Sequence, residues 1–171
     1  GNSFAPLRTC TFRHLLTQLG LVCYSDRADR WGEIVRIEAT GVHTRQQLDW
    51  LSASPALADV SSPEEIKIVA VQEIAGLPVP QVEEGGELPE AQGYILLPAL
   101  SAPIQLQVTT TKDGNGNETE TVSRVSVAVE GGFQAGKRHV VSLFFTDGRK
   151  IQATTVGVEQ WADRDAGEIP I

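Results

Sequence analysis

Ile104-Gln105-Leu106-Gln107-Val108 and Thr119-Glu120-Thr121-Val122-Ser123-Arg124-Val125-Ser126-Val127-Ala128-Val129 alternate apolar with polar residues, and Lys112-Asp113-Gly114-Asn115-Gly116-Asn117 stands between them. Period-two alternation puts successive side chains on opposite faces of a half-buried strand. The Gly, Asn and Asp residues in between tolerate the positive φ that a chain reversal needs. The segment therefore predicts an antiparallel hairpin with Lys112 to Asn117 at its tip. A second hairpin follows from Arg138 to Phe145 and Lys150 to Trp161, joined by Thr146-Asp147-Gly148-Arg149, where Asp-Gly suits a two-residue type I′ turn.

Working outward, the N-terminal half is strand-like but less regular. Leu7 to Tyr24 reads as one bent strand or two, with Gly20 marking a bulge. Glu33 to Ala39 alternates imperfectly through Ile34, Ile37 and Ala39, and Ile66 to Ile74 places Ile66 and Ile68 on one side. Thr44 to Leu51 fits one or two helical turns, with Leu48 and Leu51 at i, i+3 and Thr44 as N-cap, or a loop. Leu77 to Glu90 holds three prolines, adjacent glycines and four glutamates, so it predicts a surface loop. Gly93-Tyr94-Ile95-Leu96-Leu97-Pro98 reads as a short apolar strand of a sandwich interior. About seven to nine strands with turn signals between them predict an all-β fold, an antiparallel β-sandwich.

The 171 residues suit a single domain spanning 1–171, and 41% hydrophobic against 21% charged residues is enough to build a core. No run reaches the roughly 18 apolar residues of a membrane helix. A net charge of -8 repels phosphate backbones, so nucleic acid is disfavoured as a partner. Methionine is absent even at position 1, which reads as a processed chain or excised fragment, with Gly1 a cloning scar. Cys10 and Cys23 form no metal pattern, and on one extended segment they would lie about 40 Å apart, so two buried free thiols are expected.

Residues able to do chemistry are scattered. His14, His43 and His139 have no nucleophile or second His at a motif spacing, which argues against an enzyme, and no cofactor is implied. Asp113, Asn115 and Asn117 match the opening of a calcium loop. Glu118 stands where glycine is required, and Arg124 where a bidentate glutamate is required, so a plain hairpin tip is the stronger reading. Trp31, Trp50 and Trp161 offer flat faces; Trp50, beside Asp49, and Trp31 are the candidate glycan contacts, against the ordinary burial of tryptophan. Glu83-Glu84-Gly85-Gly86-Glu87 reads as a solvated acidic loop, with capture of cations or basic partners as the alternative.

Three segments in order resemble the fimbrillin-like family, the subunits and tip components of type V pili of gut and oral anaerobic bacteria. They are Phe12-Arg13-His14-Leu15-Leu16-Thr17-Gln18-Leu19; Gly93 to Pro98, with Tyr94 and Pro98, ahead of Ile104 to Val108; and Phe133-Gln134-Ala135-Gly136-Lys137-Arg138-His139, leading through a hairpin to Trp161. The similarity covers roughly residues 4 to 165. It implies a transthyretin-like sandwich, the second domain of a longer lipoprotein precursor at the cell outer membrane. It also implies a structural or adhesive tip or accessory component of a fimbrium, and partner subunits joined by strand complementation. His139 stands where the family has an aromatic residue, and Thr17 where it has a small apolar one. A surface carbohydrate-binding sandwich is the alternative.

Overall fold

The computed structural model describes residues 14–49, 51, 54, 56–69 and 76–160. Its strands are β1 (Leu16–Tyr24), β2 (Glu33–Val42), β3 (Gln46–Asp49), β4 (Ala56–Asp59), β5 (Glu64–Val69), β6 (Leu77–Pro78), β7 (Gly93–Pro98), β8 (Ile104–Thr110), β9 (Thr121–Val127), β10 (Lys137–Thr146) and β11 (Lys150–Gln160). One sheet has the order β11-β10-β1-β7 and the other β5-β2-β8-β9, with the short β6 also paired to β2. The eight longer strands of these sheets form an all-β sandwich. β9 lies beside β11, and β5 beside β7, along its two sides.

Both predicted hairpins are present as antiparallel pairs, β8 with β9 and β10 with β11. Leu106, Val108, Val125 and Val127 face the core from the first, and Val141, Leu143 and Phe145 from the second. Val122 breaks the phase of the valines after it and lies on the outer side, half exposed. The second turn differs from the two-residue expectation. Thr146 pairs with Lys150, leaving a three-residue loop in which Gly148 and Arg149, not Asp147, take positive φ.

Other departures have local causes. The imperfect spacing of Ile34, Ile37 and Ala39 is a bulge in β2: register against β8 shifts between Ile34 and Arg36, which keeps all three side chains fully buried. Gly20 marks no bulge, because register runs through it unbroken on both sides of β1. A Cβ there would stand 3.2 Å from the Tyr94 ring, so glycine makes room for that ring. Thr44 to Leu51 is not helical: Gln46–Asp49 pairs with Ala56–Asp59 as a separate two-stranded ladder, and the Thr44 hydroxyl donates to Glu64 at 2.8 Å. β7 is an edge strand in which Ile95 and Leu97 point inward while Tyr94 and Leu96 are about half exposed. The β1–β10 ladder runs parallel, from Gln18↔Arg138 to Tyr24↔Phe144, within a mainly antiparallel fold.

Candidate functional site

The three family-like segments supply β1, β7 and β10, which are neighbours in one sheet, while Ile104 to Val108 of the second lies on β8 in the other sheet. Leu16 pairs with Pro98, and the Gly136 amide donates to the Leu16 carbonyl at 2.9 Å. The Thr17 hydroxyl, fully buried where a small apolar residue was expected, donates to the Lys137 carbonyl at 3.1 Å. Gly136 takes φ 70° and packs beside the exposed His14. The Lys137 ammonium reaches Gln160. Phe133 is buried and meets His139 edge-on at 5.5 Å. His139 thus fills an aromatic position: its Nε2 accepts from the Gln134 amide at 3.1 Å, and burial holds its pKa below the usual imidazole value. Phe12 and Trp161 lie outside the described residues.

Trp31 is not a glycan platform. It is fully buried, edge-on to Phe145 at 5.2 Å, because the chain after β8 closes over it. Gly114, at φ 79°, sits so close that a Cβ would stand 2.8 Å from the indole, and the amides of Gly114 and Gly116 both donate to the Arg30 carbonyl. Trp50 lies outside the described residues.

The calcium-like loop is internally satisfied. One Asp113 oxygen accepts the Asn115 and Asn117 amides, and the other accepts the Asn117 side chain and the Arg149 guanidinium. The Asn117 side chain and the Asn115 amide, with Arg149 adding to them, hold this carboxyl well below the usual carboxylate range. Among the described residues, no three His, Cys, Asp or Glu side chains are placed to hold a metal ion. Cys23 is a free, buried thiol, pushed by burial up to about 12, and so is inert at neutral pH. Cys10 lies outside the described residues.

Two kinds of surface remain for recognition. Among the described residues, β7 pairs only with β1 and β11 only with β10, so each presents an open main-chain edge. These strands also carry most of the exposed large apolar side chains on the strands, Tyr94 and Leu96 on β7 and Val156 and Val158 on β11. Separately, a cavity of about 520 Å³ lies between the β3–β4 ladder and the chain after β7. Leu15, Leu57, Pro98 and Leu100 form its apolar wall. His43 and Asp59 form its polar end, with His43 Nδ1 donating to the Ser61 carbonyl at 2.6 Å and Gln46 donating to Asp59 at 2.6 Å. No segment of the described chain crosses a membrane as a long apolar helix.

No family model and no curated protein matches the chain. Among solved structures, a protein from Bacteroides uniformis ATCC 8492, described as a "putative cell adhesion protein", superposes with a TM-score of 0.59 at 13% identity. The match takes in 88% of this chain and 52% of that one, so the chain spans about half the length of its structural neighbour. At this identity what is shared is the fold, an all-β sandwich.

Proposed function

We propose that the chain is a structural or adhesive subunit, a tip or accessory component, of a bacterial cell-surface fimbria, and that it works without enzymatic chemistry. The observation that carries this reading is the pair of edges on one sheet, β7 and β11, that are open among the described residues and present main-chain donors and acceptors beside apolar side chains. Such an edge is a template for an added strand from a neighbouring subunit: backbone hydrogen bonds supply affinity, and alternate side chains supply selectivity. Two further facts support it. Strands β1, β7 and β10, drawn from the segments that resemble fimbrillins, lie side by side in one sheet, and the structural neighbour is described as a "putative cell adhesion protein". On this reading the chain is the second domain of an outer-membrane lipoprotein precursor, and its partners are other fimbrial subunits.

Immunogold labelling of intact producing cells tests the assignment. Gold along filaments or at their tips is expected; an even distribution over the envelope, with filaments bare, contradicts it.

A further inference from the structure

Tyr24, at the end of β1, and Phe144, on β10, are register partners whose rings stack at 5.0 Å with 25° between planes. Their chain neighbours Cys23 and Phe145 are fully buried in the core, so the stacked pair stands on the opposite, outer face of the sheet. The acidic segment 82–88 rises beside it and encloses a cavity of about 490 Å³. Tyr24, Phe144, Val82 and Leu88 line this cavity together with the acidic residues Asp26, Glu83 and Glu84, and no Lys, Arg or His is among the described lining residues.

The segment is flanked by contacts to β1 and to Ser25, the residue that follows that strand. The Val82 amide donates to the Ser25 carbonyl at 2.8 Å, the Gln92 amide donates to Leu21 at 2.8 Å, and the Gln92 side chain accepts the Cys23 amide at 2.7 Å. The Gly86 amide donates to the Glu83 carbonyl at 2.9 Å, closing a turn with Gly85 at φ 77°.

An aromatic face attracts cations through its quadrupole, and three acidic residues in the same lining add charge of the same sign. These carboxylates are not grouped so as to hold a metal ion. They suit a broad, planar cation that can lie on a ring and donate outward in several directions, which describes a guanidinium better than an ammonium. The same sheet supplies an internal example: the Arg138 guanidinium lies 5.2 Å from the Tyr94 ring centre, with Glu159 3.7 Å away.

We propose that the Tyr24–Phe144 pocket receives an arginine side chain from a basic segment of a partner protein. The proposal goes beyond the fimbrial reading and does not depend on it. The test is a titration of the ¹⁵N-labelled full chain with the peptide acetyl-Gly-Gly-Arg-Gly-Gly-amide, against the same peptide carrying citrulline, its neutral near-isostere. Saturable amide shifts confined to Tyr24, Phe144 and residues 82–88 are expected. Binding should be about tenfold weaker, roughly 1.4 kcal/mol, for the citrulline peptide or for the Glu83→Gln/Glu84→Gln double variant. Those two substitutions lie on exposed loop positions, so the variant spectrum should otherwise match the parent. Equal binding of the two peptides, undiminished binding by the variant, or shifts scattered over the surface would overturn the proposal. So would a pocket that ignores the arginine peptide but responds to neutral oligosaccharides.

Discussion

Arg149 is the non-glycine residue that takes a positive φ, 68°, among the described positions, and its guanidinium meets the nearly buried carboxylate of Asp113. The strained backbone of one turn is thereby tied to the loop that covers Trp31. Gly114 in that loop is constrained twice, by its φ of 79° and by the indole 2.8 Å from where a Cβ would stand. Gly114→Ala should cost about 2–4 kcal/mol, strain and overpacking together, while Gly148→Ala, with open space around it, should cost only about 1 kcal/mol of strain. Urea unfolding of the two variants checks the difference.

Titration gives a second prediction at the residue scale. His139 binds its proton less readily folded than unfolded, so the stability it contributes is complete above its ordinary value of 6.5 and declines as pH falls below that. Asp113, held low by its hydrogen bonds, contributes stability that is complete above its ordinary value of 3.8 and is lost as pH falls further. Urea midpoints measured across pH should therefore drop in two separate windows. His139→Phe should abolish the upper drop and Asp113→Asn should diminish the lower one.

At the scale of elements, strand phase decides which substitutions matter. Leu106 on β8 is fully buried, and Leu106→Ala should cost about 2–5 kcal/mol, whereas Val122→Ser on the outer side of β9 should change stability by less than about 0.5 kcal/mol. Thermal or urea unfolding reads both. The hairpins were legible in sequence because alternation and turn residues are local signals; the uneven spacing of Ile34, Ile37 and Ala39 was visible too, but it takes the register of β2 against β8 to show that it is a bulge. Other elements were hidden for physical reasons. β3 and β4 are short, with Leu48 and Leu57 their only half-buried apolar residues, so Leu48 and Leu51 at i, i+3 imitated a helix. The parallel β1–β10 ladder joins residues 120 positions apart, as Gln18↔Arg138 shows, and no local pattern encodes such a pairing. The aromatic pocket was hidden likewise. Its acidic rim was visible as Glu83-Glu84, but Tyr24 and Phe144 meet only through that ladder.

At the scale of the whole molecule, eight strands in two layers bury one continuous apolar core and leave both edges of each sheet unpaired among the described residues, with those of the first sheet, β7 and β11, carrying most of the exposed apolar side chains. Reactive side chains are dispersed or occupied: Asp113 by its own loop, Cys23 by burial, His139 by packing. On the proposed reading, what such a body offers other molecules is its backbone edges and its outer sheet face. Hydrogen–deuterium exchange on assembled filaments against the isolated chain tests this most directly. If subunits join by strand addition, amides along β7 or β11 should gain protection of at least about tenfold on assembly while β2 and β8, already paired on both sides, stay unchanged. Unaltered exchange at both edges, with protection appearing elsewhere on the surface, would contradict assembly through the open strands.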